Sequence, residues 1–486
     1  MLFTEPTFLF VFLPVLLGLY FLPAQAHRNW LLLLASVLFY ARGAGAFTWL
    51  ILGLIAFNYY AALWIDRLRD TPAARRLLRA TVALDLLVLG IFKYANFLAA
   101  NVNAALGFAG IAPLPAPDIL LPIGISFFTF HAISYVVDVH RRDAVAQKGP
   151  VEAALYLLLF PQLIAGPIIR YRDIASQLVA RANSPADFAS GTRRFIVGLA
   201  KKMLIANVVA VPADHIFAMP TAELTAAHAW LGVGCYTLQI YFDFSGYSDM
   251  AIGLGRMFGF RFPENFRYPY IATSIQDFWR RWHISLSAWF RDYVYVPLGG
   301  NRVSEGRLYV NLVAVFFLCG LWHGASWTFV VWGLFHGAFL VIERLGQRSP
   351  RMRRLGSLPR AARHAYMLLV TLVGWVFFRA DSLSAAAGML RAMAGLGAGQ
   401  PTTYAASWYA TPELLLAVGA GLIASTPALP TIARRPLASR GSADGGATAL
   451  GWLPSAVASI ALVALLVASL MLIAARTYSP FIYFRF

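Results

Sequence analysis

Four long stretches of this sequence contain no Asp, Glu, Lys or Arg, and they limit the possible folds more than any other feature. They cover residues 6–26, 43–65, 308–342 and 445–475. An α-helix needs roughly 20 apolar residues to cross the core of a bilayer. Inside lipid, only helices and closed barrels satisfy every backbone polar group. The stretches therefore predict membrane-spanning helices.

The composition agrees with this prediction. Hydrophobic residues make up 59% of the chain and charged residues 13%, whereas a soluble domain carries about a quarter charged residues. The first apolar stretch lacks the basic start and small-residue cleavage site of a secretory signal. We therefore expect an all-α polytopic membrane protein in which residues 1–486 form one domain. Its length allows roughly a dozen transmembrane helices, with additional re-entrant and amphipathic helices.

The basic residues predict the orientation of the chain. The net charge is +18, which in a soluble protein would suggest nucleic-acid binding. In a membrane protein, short loops rich in Arg and Lys stay in the cytoplasm, so no nucleic-acid partner is expected. The loops predicted to be cytoplasmic lie at residues 67–79, 141–148, 344–363 and 434–440. Residues 101–118 and the tail 476–486 are then expected on the extracytoplasmic side.

A polar segment interrupts this apolar chain near its centre. Across residues 277–293, large apolar side chains recur at helical spacing: Phe278, Trp282, Leu286, Phe290 and Tyr293. Most charged residues of the segment fall off that stripe. The pattern predicts one amphipathic helix that either lies at the interface or re-enters a protein-lined funnel.

His323 is the sharpest candidate for chemistry. It lies in Gly320-Leu321-Trp322-His323-Gly324, inside the longest uncharged stretch. An ionisable side chain at membrane depth is costly to bury and is often functional. An imidazole is also well suited to accept a proton near neutral pH. The alternative is a core histidine bonded to a carbonyl group.

Other polar residues are weaker candidates. His283, on the amphipathic segment, could orient His323 or a substrate, or simply lie at the interface. We interpret His336 and His131 as structural. Cys319 shares a helix face with His323, but a small buried cysteine is more common than a nucleophile. The only other cysteine is Cys235, so neither a disulfide framework nor a cysteine metal site is expected.

Two acidic residues also lie at apparent membrane depth. Asp243 and Asp249 could pair with nearby basic residues, which is a structural role, or hold an imidazole in the required tautomer. The sequence contains no GxSxG, Walker or HExxH motif, so hydrolase, ATPase and zinc-protease functions lose their usual support.

Five segments together resemble the membrane-bound O-acyltransferase family, in family order and over nearly the whole chain. Within that family the resemblance is to the alginate O-acetyltransferase and teichoic acid D-alanyl transfer branch. The segments are LPIGISFFTFHAISYVVDVHR (121–141), FPQLIAGPIIRY (160–171), FDFSGYSDMAIGLGRMFGFRFPENFRYPY (242–270), FWRRWHISLSAWFRDYVYVPLGGNR (278–302) and GLWHGASWTFVVWGLFHG (320–337).

The resemblance implies a helical fold around a central funnel, in a bacterial inner membrane protein. It matches His323 to the essential histidine of the family and His283 to the second one. A cytoplasmic thioester, either acetyl-CoA or an acyl-carrier protein, would donate the acyl group, and His323 would deprotonate an acceptor hydroxyl. Buried amides or His283 would stabilise the resulting oxyanion. No metal or redox cofactor is required.

The expected function is O-acetylation of an exported, alginate-like polysaccharide, with membrane lipid and an extracytoplasmic acetyltransferase as partners. Two alternatives remain: D-alanyl or other acyl transfer from a carrier protein to a cell-envelope polymer, and a transporter without chemistry.

The C-terminal tail carries a further hypothesis. Residues 480–486 read PFIYFRF, which suits an aromatic anchor at the interface. They also resemble the Phe-Ile-Tyr end of a small partner peptide in the D-alanylation system. On that interpretation Tyr483 carries the acyl group from His323 to the external partner, because a phenol ionises near pH 10 and is easier to deprotonate than a sugar hydroxyl.

Overall fold

Helices form all the regular structure that the computed structural model describes, namely in residues 1–22, 27–116, 118–348, 358–397, 404–428 and 453–475. In chain order the α-helices are α1 Leu13–Phe21, α2 Arg28–Ala44, α3 Phe47–Arg67, α4 Pro72–Phe108, α5 Ile125–Arg141, α6 Pro150–Leu158, α7 Phe160–Leu163, α8 Tyr171–Val179, α9 Pro185–Ala200, α10 Asn207–Phe217, α11 Ala226–Met257, α12 Ile275–Arg281, α13 Ile284–Phe290, α14 Glu305–His323, α15 Trp327–Arg348, α16 Arg360–Arg379, α17 Leu383–Met393, α18 Pro412–Ala424 and α19 Leu453–Ala475. Short π-helical segments occur at Phe8–Phe12, Lys201–Ala206 and Arg291–Tyr295.

Within these described ranges, seven helices are long and apolar enough to cross a membrane. They are Phe47–Arg67, Pro72–Phe108, Pro185–Phe217, Glu305–His323, Trp327–Gln347, Arg360–Arg379 and Ala456–Ala475. Shorter apolar helices lie at Phe8–Phe21, Pro150–Leu163 and Pro412–Ala424. The predicted all-α, multi-pass membrane fold is confirmed.

Local sequence explains where several helices begin. A Ser or Thr followed by proline precedes α4, α9 and α18. The hydroxyl of Thr71 accepts from the Ala74 N–H at 3.4 Å, and that of Ser184 accepts from the Asp187 N–H at 3.0 Å. The hydroxyl thus satisfies one free N–H of the first turn, while proline sits where no N–H partner is needed.

The centre of the fold is α11, which is buried along nearly its whole length and packs against α9. Two glycines allow the backbones to approach closely: a Cβ atom on Gly198 would lie 2.5 Å from the carbonyl oxygen of Gly246. Small residues at helix contacts are typical of membrane proteins, because close backbone packing replaces the hydrophobic driving force.

Ion pairs tie the same two elements together. Lys202 bonds the carboxylate of Asp243, and both side chains are almost completely buried. Lys201 and Arg194 bond Asp249 at 2.6 and 2.8 Å. The structural role considered for Asp243 and Asp249 is therefore confirmed: each pairs with cations of α9 or the following π-helical segment.

The prediction of one amphipathic helix at 277–293 is wrong. α12 ends at Arg281, Trp282 is extended, and His283 adopts a left-handed conformation before α13 begins. The reason is Asn265, whose backbone carbonyl accepts from Ile284 N at 2.9 Å and whose side chain accepts from Ser285 N at 3.3 Å. These bonds satisfy the first N–H groups of α13. The apolar stripe is nevertheless on the inner side, since Phe278, Trp282, Leu286 and Phe290 are buried.

One end of the helical bundle is marked by the basic residue Arg142. Arg142, which follows α5, forms an ion pair with Asp70, just before α4 begins. α4 then runs for 37 residues, which is about 55 Å, away from that basic end. Ile125, the first residue of α5, lines the same cavity as Lys93 of α4 and His323 of α14. His323 therefore lies well away from the basic end.

A close contact between α14 and α15 positions the end of α14. A Cβ atom on Gly320 would lie 2.4 Å from the carbonyl oxygen of Phe329, and one on Gly333 would lie 2.4 Å from that of Phe316. The glycines near His323 thus serve helix packing, because only a hydrogen atom fits between these backbones.

We expect Gly333→Ala to destabilise the protein by about 1–3 kcal/mol, because the new methyl group forces α14 and α15 apart. Gly53→Ala is the matched control. A Cβ atom there meets nothing within 4 Å, and alanine in an open helix position is favourable. Thermal unfolding of the purified variants measures both. Equal unfolding midpoints for the two variants would contradict the close packing.

Candidate active site

His323 lies at the edge of a cavity of about 130 Å³. It is the last residue of α14, and Gly324 leaves the helix in an extended conformation. Residues 121–127 at the start of α5 form one wall, with Ile164 beside them. Lys93 of α4 and Trp322 complete the lining. The cavity therefore gathers four parts of the chain that are distant in sequence.

Three aromatic rings surround the imidazole of His323. The ring centroids of Trp322, Trp332 and Phe378 lie 4.9, 5.1 and 5.0 Å from it, each at a steep interplanar angle. The side chain is 6% exposed, and its Nδ1 atom is buried without a hydrogen-bond partner among the described residues. The interpretation as a core histidine bonded to a carbonyl group is not supported, since packing rather than a hydrogen bond orients this ring.

His283 is held by a hydrogen-bond network centred on Asn265. The Nδ1 atom of His283 lies 3.1 Å from the side-chain oxygen of Asn265, which also accepts from the backbone N–H of Ser285. The Asn265 amide nitrogen donates to the Ser248 hydroxyl at 3.0 Å. Because a backbone N–H can only donate, the Asn265 atom facing it must be oxygen.

The orientation of Asn265 determines the tautomer of His283. An acceptor oxygen opposite Nδ1 requires that Nδ1 carry the proton, so in the neutral ring Nε2 has the free lone pair. That Nε2 atom is buried and has no hydrogen-bond partner in the described part of the chain. His283 is thus prepared to accept a hydrogen bond, and the interpretation that it simply lies at the interface is wrong: the residue is 1% exposed.

The backbone of His283 is strained. Its φ of 44° and ψ of 54° lie in the left-handed region, which costs a residue other than glycine roughly 1–2 kcal/mol. Strain of this kind persists where the surrounding structure enforces it, and it concentrates at functional sites. The conformation turns the imidazole inward at the break between α12 and α13.

Trp322 contacts both imidazoles. Its ring centroid lies 6.3 Å from that of His283 and 4.9 Å from that of His323. Phe130 stacks on Trp322 at 5.2 Å and on Trp289 at 3.8 Å, so the indole is held from its other side. The structure thus brings the two predicted histidines to one aromatic wall, and it shows no hydrogen bond between them.

The remaining candidates lie apart from the cavity. The Nε2 atom of His131 accepts from Ile169 N at 3.2 Å, which confirms a structural role. His336 packs against Trp279 and Trp332 and is absent from the cavity lining. Cys319 is buried one helical turn before His323 and is also absent from that lining. Tyr483 and the rest of the tail 476–486 lie outside the described residues.

Sequence reasoning missed Asn265 and Lys93. Lys93 is the only charged residue between Asp85 and Asp118, and this isolation in an apolar stretch was a usable signal. Asn265 offered no comparable signal, because its role depends on contacts across the fold.

In the described ranges, no three His, Cys, Asp or Glu side chains are grouped as a metal site.

Comparison with known proteins agrees with this geometry. The model of the membrane-bound O-acyltransferase family matches residues 91–378, which include both histidines. The probable alginate O-acetylase AlgI of Pseudomonas putida is 44% identical over the full length of both chains. The peptidoglycan O-acetyltransferase of Helicobacter pylori is 38% identical over 82% of this chain and 80% of its own.

A more distant relative transfers a different acyl group. The teichoic acid D-alanyltransferase of Bacillus subtilis is 30% identical over 46% of this chain and 60% of its own length. The family match covers more than half of the chain, and the Pseudomonas putida and Helicobacter pylori relatives are matched over 100% and 82% of it. The chain belongs to the membrane-bound O-acyltransferase family and is an acyltransferase of the membrane.

Proposed function

We propose that this protein takes an acetyl group from a thioester in the cytoplasm and passes it across the membrane for O-acetylation of an exported, alginate-like polysaccharide. The observation that carries the proposal is the location of His323. Its imidazole lines a cavity away from the basic end of the bundle, next to a second imidazole that α13 holds. The names of the Pseudomonas putida and Helicobacter pylori relatives support acetyl as the transferred group.

The charge distribution supports the direction of transfer. Basic loops remain in the cytoplasm, so the end carrying Arg142 is the donor side and the cavity belongs to the opposite half. The predicted cytoplasmic loop at 344–363 fits this arrangement, since α15 starts beside His323 and runs 22 residues toward that loop. We place the protein in the bacterial inner membrane, where a cytoplasmic thioester and an exported polymer are both within reach.

A charged cluster marks the donor side of the site. Arg170 and Arg172 both bond the carboxylate of Asp292, which lies in the π-helical segment that follows α13. Partial burial opposes ionisation of Asp292, but the Arg291 hydrogen bond and the neighbouring guanidinium groups hold its pKa below the ordinary value. α13 connects this cluster to His283, so we propose that acetyl-CoA or a carrier thioester approaches the site from this side.

The chemistry assigns different tasks to the two histidines. His323 acts as general base and removes the proton of the acceptor hydroxyl as its oxygen attacks the thioester carbonyl. His283, with its free lone pair on Nε2, accepts a hydrogen bond from an N–H or O–H group of a bound substrate. This tautomer does not donate from Nε2, so His283 is not the oxyanion donor considered from the sequence.

Two further hypotheses involve the same site: a different acyl group and a partner protein. Transfer of D-alanyl from a carrier protein would use the same base, and the similarity to the teichoic acid D-alanyltransferase favours it as the second candidate. An extracytoplasmic acetyltransferase remains the proposed partner that modifies the polymer. The relay through Tyr483 stays a hypothesis about this partner, and Tyr483→Phe tests it by removing only the hydroxyl group.

We expect His323→Ala to lower polymer acetylation by at least about 100-fold, the usual contribution of a general base. His336→Ala is the matched control, because it removes a second buried imidazole that does not line the cavity. Cells that lack their own copy would express each variant, and the acetyl content of the polymer would be measured. Near-normal acetylation with His323→Ala contradicts the mechanism and favours a transporter without chemistry.

We expect His283→Gly to be about 1–2 kcal/mol more stable than His283→Ala, because only glycine adopts the left-handed conformation without strain. Both variants lose the imidazole, so both are expected to transfer acetyl more slowly than the wild-type protein. Thermal unfolding and acetyl-transfer rates measure the two effects separately. Wild-type rates in either variant would return His283 to a structural role.

Cysteine labelling tests the orientation of the protein in the membrane. Cys235 and Cys319 are buried, so single exposed cysteines can be labelled selectively. We expect Phe108→Cys, at a side chain 95% exposed at the end of α4, to react with an impermeant maleimide from outside the inner membrane. Arg261 lies next to α8, because its backbone N–H donates to the side chain of Gln177, and Arg172 of the same helix pairs with Asp143 beside Arg142. Arg261→Cys, at a side chain 83% exposed, is therefore expected to react only after the membrane is opened. The reverse pattern would overturn the proposed direction of transfer.

A further inference from the structure

Lys93 places its side-chain amine in the cavity that contains His323. Its ammonium group donates to the backbone carbonyl of Trp322, the residue before His323, and lies 3.4 Å from the Ser126 hydroxyl. Both Lys93 and His323 line the cavity. An ammonium group has three N–H donors, and these two contacts leave one available toward the cavity.

The charge of Lys93 has no protein counter-ion among the described residues. The other lysines of the membrane region, Lys201 and Lys202, each bond a carboxylate. No Asp or Glu oxygen described in the structure lies within 4 Å of the Lys93 ammonium group. A lone cation at this depth costs several kcal/mol, and an apolar residue would pack against Trp322 without that cost. An anion that forms during the reaction would keep this amine protonated and offset that cost.

The chemistry at His323 produces such an anion. As His323 takes the proton from the acceptor hydroxyl, a bond forms between the acceptor oxygen and the thioester carbonyl carbon. The C=O π electrons move onto the carbonyl oxygen. When this oxyanion collapses, the C–S bond breaks and the leaving thiolate takes the proton from His323. Because Nε2 of His283 is an acceptor, the oxyanion needs another source of positive charge.

We propose that Lys93 is the oxyanion-stabilising residue of this acyltransferase, held against the Trp322 carbonyl so that its remaining N–H faces the reacting oxygen. The residue keeps its proton throughout the step. This inference rests on the acyl-transfer chemistry proposed for His323 and adds the group that stabilises the transition state. Donors of this kind typically contribute about 100- to 1000-fold in rate.

Tyr94 provides a matched control for a merely structural role. Its hydroxyl donates to the backbone carbonyl of Leu321, one residue before the carbonyl that Lys93 bonds. Lys93 and Tyr94 therefore tie α4 to the end of α14 in the same way, and only Lys93 adds a charge. If tying the helices were the function of both residues, Tyr94→Phe and Lys93→Met would impair the protein to a similar degree.

The test compares Lys93→Met, Lys93→Arg and Tyr94→Phe with the wild type and with His323→Ala, in cells and as purified protein in nanodiscs. We expect Lys93→Met to lower kcat by about 100-fold or more with little change in KM, while its unfolding midpoint stays at or above that of the wild type. Lys93→Arg, which keeps the charge, is expected to recover part of the activity. Tyr94→Phe is expected to stay within about threefold of the wild type, as loss of one neutral hydrogen bond implies.

Three results would overturn the inference. Polymer acetylation by Lys93→Met close to that of the wild type would show that the charge is not used. Equal losses in Lys93→Met and Tyr94→Phe would assign both residues to helix packing. The third result is a raised KM and an unchanged kcat in Lys93→Met. If this change occurs with a uronate oligosaccharide and not with a neutral one, Lys93 binds a substrate carboxylate instead of the oxyanion. If instead His323→Ala retains activity, the proposed general-base chemistry fails, which is a separate outcome.

Discussion

The hydrogen bonds of Asn265 determine the geometry on which the site depends. A polar group inside the bilayer has no water to bond, so each must find a partner within the protein. Asn265 supplies its backbone carbonyl to Ile284 and its side-chain oxygen to Ser285 and His283. These bonds maintain the break between α12 and α13, the left-handed conformation of His283 and the tautomer of its ring.

The second constraint is the close packing of helices around that break. α14 and α15 approach through Gly320 and Gly333, which places His323 at the end of α14 among aromatic rings. Trp322 then contacts both imidazoles, while Phe130 supports it from the other side. Because the packed aromatic rings fix the position of His323, the proton acceptor proposed there would need little reorganisation when a substrate arrives.

The distribution of charge separates structure from function in this fold. Asp243 and Asp249 are paired with cations of the neighbouring helix, so they stabilise the contact between α9 and α11. Lys93 has no such carboxylate in the described structure, and His283 and His323 each retain a buried nitrogen without a partner. Unsatisfied polar groups are expensive inside a membrane, and those of His283 and His323 lie on either side of Trp322, where the proposed chemistry would use them.

The sequence by itself determined the membrane environment, the helical class and the buried stripe of Phe278, Trp282, Leu286 and Phe290, and it made His323 a candidate for chemistry. The first three follow from local composition or spacing, since burial of apolar surface and internal hydrogen bonding act along a single helix, whereas the role expected of His323 came from the family resemblance. Only the tertiary structure decided that the amphipathic segment breaks at His283, that Asn265 selects its tautomer, and that Lys93 lies beside His323. These features arise from contacts between residues far apart in the chain, such as Lys93 and Trp322. They could not be predicted, because the helical periodicity of one segment does not show which distant residue will bond its polar groups.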